Sequence, residues 1–122
     1  MLIEITQQGE MCVLRCEGRF PTGTDAEYLR VKRDAIKNLN CKKLLVDFRE
    51  VTEIGSQGVG FLVGIYTTDK NSGGRFLLVG LQPRVREILD LTRVSTVIPL
   101  ASDLEVGLAA LRDENLAGGA AE

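Results

Sequence analysis

Apolar residues recur with a period of two near the start of the chain and with a period near 3.6 further on. Leu2-Ile3-Glu4-Ile5-Thr6 places Ile3 and Ile5 on one face. Met11-Cys12-Val13-Leu14-Arg15-Cys16 repeats the alternation after a Gln8-Gly9 turn, so the two runs read as a hairpin. Gly18-Arg19-Phe20-Pro21-Thr22-Gly23 reads as a loop. Thr24-Asp25-Ala26-Glu27 then forms a capping box, with Thr24 as N-cap, and Tyr28, Leu29, Ala35, Ile36 and Leu39 supply a helical period. Lys43 to Phe48 contains the unbroken apolar run Leu44-Leu45-Val46, the pattern of a strand buried on both faces. A helix from about Gln57 to Lys70 follows, closed by Asn71-Ser72-Gly73-Gly74. Phe76-Leu77-Leu78-Val79 is a second apolar strand, and strand, helix and strand in succession predict parallel pairing through a right-handed crossover. Pro83 suits the first position of a short helix with Val85, Ile88 and Leu89 facing inward. Val97-Ile98 is a short strand candidate, and Ser102 is placed to cap a last helix through Leu111. The expectation is a single α/β domain over residues 1–112 with a mixed four- to five-stranded sheet. Residues 113–122 lack a periodic apolar face and are expected as a loose tail.

The helix after the central strand has an unusual composition. Gly58, Gly60 and Gly64 lie inside it, and each costs about 1 kcal/mol relative to alanine. Gly58, Phe61, Leu62 and Ile65 share one face, the face expected against the sheet, whereas Gly60, Val63, Gly64 and Thr67 point largely the other way. Glycine permits close backbone approach, so this outer face suits either contact with a partner or relief of crowding within the fold. Ser56 is positioned as the N-cap, its hydroxyl accepting from a first-turn amide.

Composition narrows the chemistry. The chain has 122 residues, of which 44% are hydrophobic, enough for one cored domain. A net charge of −2 with dispersed Lys and Arg provides no field for nucleic acid. No stretch approaches the roughly 20 apolar residues of a membrane span, and the start MLIEIT lacks the features of a signal peptide, so a soluble cytoplasmic protein without membrane insertion is expected. Histidine is absent, which removes the commonest general base and the commonest zinc ligand. Cys12, Cys16 and Cys41 have no metal-ligand spacing; Cys12 and Cys16 fall on one strand face and read as small buried hydrophobes. The glycine-rich start Gly55-Ser56-Gln57-Gly58-Val59-Gly60 lacks the lysine of a phosphate-binding loop. A nucleotide-dependent enzyme therefore rests only on the anion affinity of helix N-termini. The expectation is no enzyme activity, no metal and no cofactor.

Three segments carry a family resemblance. VTEIGSQGVGFL (residues 51–62) resembles the signature of STAS domains (sulfate transporter and anti-sigma factor antagonist), in which a strand and loop end in Asp-Ser-Ser/Ala-Gly-Leu-Gly or similar. GGRFLLV (73–79) is similar to that family's Gly-Gly and fourth strand, and PRVREILDLT (83–92) to its Pro-x-Val-x-x-x-Leu-x-x-Thr/Ser helix. The resemblance implies an anti-sigma factor antagonist that binds an anti-sigma factor with serine kinase activity and releases it when Ser56 is phosphorylated. On this reading Gly55, Ser56, Gln57, Gly60, Val63, Gly64 and Thr67 face the partner, and a second copy of the chain is a further candidate partner. Gly55 stands where the family usually has Asp, and Gln57 where Ser or Ala is common. The alternative implied is a STAS scaffold subunit of a larger regulatory or lipid-transport assembly that is never phosphorylated.

Overall fold

The computed structural model describes residues 2–20, 26–39 and 41–112. Five strands and four α-helices alternate after an initial hairpin: β1 (Leu2–Gln8), β2 (Met11–Phe20), α1 (Ala26–Leu39), β3 (Lys43–Ile54), α2 (Ser56–Asn71), β4 (Arg75–Val79), α3 (Pro83–Leu91), β5 (Leu100–Ala101) and α4 (Leu104–Arg112). The sheet has the order β1-β2-β3-β4-β5. Among the described strands only β1 runs antiparallel to its neighbour; β2, β3, β4 and β5 are mutually parallel, and for β3 and β4 this is the pairing the strand–helix–strand pattern predicts.

Each face of the sheet has its own core. Leu44, Val46 and Phe48 of β3 pack with Cys12 and Leu14 of β2 and with Leu29, Phe61, Leu62, Ile65, Val85 and Leu89 from α1, α2 and α3. Leu45, Val79 and Leu111 form a smaller cluster beneath α4 on the opposite face. Helix α4 sits close because Gly107 carries no side chain: a Cβ there would lie 2.6 Å from Val79 Cγ1 and 2.9 Å from Leu45 Cδ1. Tyr28 ties α1 to the edge strand, its hydroxyl accepting from the Ile3 amide at 3.1 Å. On α2, Tyr66 meets Phe76 edge-to-face with ring centroids 5.4 Å apart.

The structure corrects several boundaries. Strand β3 continues to Ile54 rather than stopping at Phe48, and β2 continues to Phe20 in place of a loop from Gly18. Two register shifts in the β2–β3 pairing, between Arg15 and Glu17 and between Gly18 and Arg19, explain why the strand pattern was lost. Each inserts an extra β3 residue, so the inward positions after Phe48 are Val51 and Ile54, three apart instead of two. Val97-Ile98 is not a strand. A 3-10 turn over Val94–Thr96 precedes it, and the fifth strand is Leu100–Ala101. The last helix is capped by Asp103, whose Oδ1 accepts from the Val106 amide at 2.9 Å, and not by Ser102. The capping box at Thr24, the loop at Pro21–Gly23 and the tail at 113–122 lie outside the described residues.

Cysteine pairing is a further correction. Cys12 at the start of β2 and Cys41 just before β3 form a disulfide, with Cα atoms 5.9 Å apart, and only Cys16 remains a buried thiol. Parallel pairing of β2 with β3 brings the two positions together: Met11 pairs with Lys43, and the Lys42 amide donates to the Glu10 carbonyl at 3.1 Å. Closing a loop across a sequence separation of 29 is worth about 3–4 kcal/mol in the chain-entropy account.

At the far end of α2 the chain turns in a Schellman arrangement. Gly73, at φ +80°, donates to Lys70 O, and Gly74 donates to Asp69 O at 2.9 Å. Asp69 is 8% exposed, and its carboxyl Oδ2 has no hydrogen-bond partner among the described residues. Burial penalises the charged form and pushes its pKa up to about 7.

Two stability predictions follow from this packing. Gly107→Leu must lift α4 from the sheet and is expected to lower unfolding free energy by about 1–3 kcal/mol in chemical denaturation. Asp69 has a folded pKa above its unfolded value, so between pH 4 and 7 the native state holds the extra proton and stability declines as pH rises. The decline is expected to reach up to about 4 kcal/mol, and Asp69→Asn should flatten that part of the melting-temperature profile.

Candidate functional site

Strand β3 delivers the chain to the helix that carries the candidate residues. Ile54 is buried and anchors the end of the strand. Gly55 is the N-cap residue, in extended conformation at φ −108° and ψ −173°, a conformation open to any residue. Its carbonyl accepts the first helical hydrogen bond, from the Val59 amide at 3.0 Å. Ser56 is therefore the first residue of the helix and not its cap. No side chain caps the helix, so the amides of Ser56, Gln57 and Gly58 have no partner within it. The Ser56 side chain is exposed and makes no hydrogen bond among the described residues. An unencumbered hydroxyl thus stands at the positive end of a 16-residue helix.

The outer face of α2 is uneven. Gly60 and Thr67 are exposed, and Val63 is 37% exposed. A Cβ at Gly60 would meet no atom within 4 Å. Gly64 is instead half-buried, and a Cβ there would touch Arg33 of α1 at 3.4 Å. Gly58 is buried against the core. The three glycines thus divide: Gly58 serves internal packing, Gly64 lies along the seam with α1, and Gly60 opens onto a groove.

That groove, about 360 Å³, runs between α1 and α2 and is lined by Leu29, Arg30, Arg33, Gln57, Gly60 and Phe61. Its floor is apolar and its rim is cationic. Arg30 is engaged by Glu27 and by Asp34, and the hydrogen bond from Arg30, followed by its charge, lowers the Glu27 pKa. Arg33 has no carboxylate partner among the described residues. Gln57 places its Oε1 in a buried position without a partner. Just before the helix, Glu53 holds two arginines, Arg19 Nε at 3.2 Å and Arg84 Nη1 at 3.0 Å. These pairs join the ends of β2, β3 and α3 around the start of α2.

The structure therefore gathers Gly55, Ser56, Gln57 and Gly60 at one end of the α1–α2 seam, with Val63, Gly64 and Thr67 further along α2. The arginines were missed in the sequence. There Lys and Arg read only as dispersed charge, and it is the packing of α1 beside α2 that turns Arg30 and Arg33 toward the groove. Among the described residues no group of His, Cys, Asp or Glu is arranged to hold a metal, and no helix is long and apolar enough to cross a membrane.

A five-stranded mixed sheet with four helices in this order is the architecture of a known family. A family model described as the STAS domain matches residues 3–107, and the chain belongs to that family. A curated relative, the anti-sigma F factor antagonist of Paenibacillus polymyxa, is 22% identical over 99 residues, covering 80% of this chain and 84% of the relative. An anti-sigma factor antagonist from Mycobacterium paratuberculosis superposes with a TM-score of 0.80 at 24% identity, covering 92% of this chain and 94% of that one. The Bacillus cell fate determinant SpoIIAA in its phosphorylated form superposes with a TM-score of 0.65 at 19% identity, covering 86% and 96%.

The geometry predicts small stability effects at the exposed positions. Ser56→Ala removes no cap hydrogen bond, so its cost should stay under about 0.5 kcal/mol. Gly60→Ala adds helix propensity without a clash and should stabilise by up to about 1 kcal/mol. Thermal melting of both variants checks the pair; a loss of several degrees in either would contradict the open geometry.

Proposed function

We propose that this protein is an anti-sigma factor antagonist that binds an anti-sigma factor with serine kinase activity through the N-terminal half of α2 and the groove beside it, and that phosphorylation of Ser56 switches it off. The observation that carries the reading is the Ser56 hydroxyl, exposed and without a hydrogen bond at the first position of α2, next to an open groove. The relatives' names, as anti-sigma factor antagonists, support the antagonist part of the reading. The reading places the protein in the cytoplasm.

The switch follows from electrostatics. The kinase transfers the terminal phosphoryl group of ATP to Ser56 Oγ, which loses its proton. The product carries about −1.5 to −2 charges and three acceptor oxygens. The helix dipole and the unpartnered amides of the first turn favour that charge, so the domain keeps its fold. A partner seated over Ser56 must instead desolvate or repel a dianion, and it dissociates. Gly60 lets the partner approach the backbone of α2, with Val63 and Thr67 as flanking contacts. Gly55 lacks the carboxylate that the family usually places there, so the nearest acidic residue before Ser56 is Glu53, which is engaged by Arg19 and Arg84.

The test uses the full chain, ATP and a cognate anti-sigma kinase. A mass gain of one phosphate, lost in Ser56→Ala, is expected. Ser56→Asp should weaken partner binding at least tenfold, about 1.4 kcal/mol or more, and Gly60→Leu should weaken it with the melting temperature nearly unchanged. No phosphate uptake together with unchanged affinity of Ser56→Asp would leave an unphosphorylated STAS scaffold as the better account.

A further inference from the structure

The sheet ends in two unlike edges. Strand β5 is two residues long and offers no ladder, whereas β1 runs over Leu2–Gln8 with one side open. The Ile3 amide donates to the Tyr28 hydroxyl at 3.1 Å, so it points away from β2. Inward and outward amides alternate along a strand with an antiparallel neighbour, so those of Ile5 and Gln7 point outward too. Among the described residues these two outward amides meet no hydrogen-bond partner. We propose that β1 of a second copy of this chain takes this edge, antiparallel, with the two-fold axis at Thr6 and with Ile5 of each copy paired with the partner's Gln7.

Edge strands that avoid pairing carry Lys, Pro, a bulge or a cover. Strand β1 reads LIEITQQ, without Lys or Pro, and its register with β2 is unbroken from Leu2 to Gln8. Tyr28 obstructs Ile3 alone, and that obstruction sets the register. An axis at Glu4 or Ile5 would set Ile3 against the partner's Ile5 or Gln7, where Tyr28 stands. An axis at Gln7 would leave Ile5 opposite the partner's Gly9, past the end of the strand. With the axis at Thr6, Ile3 falls opposite that glycine instead, and Ile5 and Gln7 are both used, each pair exchanging two hydrogen bonds. The side chains are self-complementary in the same register. On the helix-covered face half-buried Ile5 gains the partner's Gln7 as cover. On the other face the two exposed Thr6 residues meet, a favourable cross-strand pair. Glu4, the one charge of β1, lies opposite Arg15 within the chain and opposite the partner's Gln8 amide across the junction, so no like charges face each other.

Residues 4–8 of each copy overlap, well short of the roughly 20–30 residues a side of a stable interface. The dimer is therefore transient and forms at high protein concentration, joining two sheets into one. Strand β2 separates β1 from β3, and α2 crosses from β3 to β4, so Ser56 stays open in both copies. The pairing does not depend on the antagonist reading, and its loss would leave that reading untouched.

Covalent trapping of the full-length protein tests this. At the axis the two Thr6 Cα atoms lie about 4.5 Å apart, within reach of a disulfide. The two copies of Glu4, or of Gln8, are displaced along the strands by roughly 13 Å and cannot be bridged. Under mild oxidation at high protein concentration, Thr6→Cys should form a disulfide-linked dimer at least about tenfold faster than Glu4→Cys or Gln8→Cys. The wild-type chain sets the background, because Cys12 and Cys41 are bridged and Cys16 is buried. Adding Gln7→Pro to Thr6→Cys should remove the preference, since proline deletes an outward donor and spares the ladder with β2. Equal trapping at the three positions, or trapping led by Glu4→Cys or Gln8→Cys, would overturn the proposal. So would undiminished trapping in a folded Thr6→Cys, Gln7→Pro chain. Absence of a Thr6→Cys dimer, the result expected where residues 113–122 or another protein take the edge, overturns it as well. The three-position pattern decides the matter even where the proline variant does not fold.

Discussion

Parallel pairing of β3 on both its edges is the constraint on which the molecule depends. Leu44, Leu45, Val46 and Phe48 are inaccessible to solvent because neighbouring strands flank β3 and helices cover both of its faces. Parallel neighbours cannot be joined by tight turns, so α1 must carry the chain from β2 to β3, and α2 from β3 to β4. The two crossovers run in the same direction and pack side by side on one face. Their seam creates the groove beside the start of α2.

The same constraint explains what the residues alone disclosed. The apolar run at 44–46 marks a doubly covered strand wherever it occurs, and Gly73-Gly74 marks a helix end through the positive φ that only one turn type needs there. These signals are local, and the elements they predict are present. The losses came from nonlocal effects. Two bulges broke the alternation of β3 after Phe48, so its last six residues read as polar loop. Strand β5 is two residues long and is defined only by its pairing with β4, and no periodicity can disclose so short an element.

The candidate site was legible in part for the same reason. Ser56 at a helix start and the outward placement of Gly60 follow from sequence spacing. That Ser56 is the first helical residue, with Gly55 as the cap, depends on backbone angles that a serine and a glycine can exchange. The fate of Gly64 depends on Arg33, which is 31 positions away in the sequence. The Cys12–Cys41 pairing was hidden by an odd cysteine count, which favours a reading of separate thiols. Register would have revealed it: if Met11 pairs with Lys43, position 12 and the residue just before β3 converge at the same end of the sheet.

The two ends of α2 differ in what a charge costs. At the N-terminus the unpartnered amides and the dipole favour an anion, and Ser56 is in solvent, so added negative charge leaves the fold intact and acts on whatever is docked there. At the C-terminal end the dipole has reversed sign, and Asp69 is buried beside it, so negative charge is opposed from within. The helix thus presents an acceptor for charge at one end and a reluctant acid at the other.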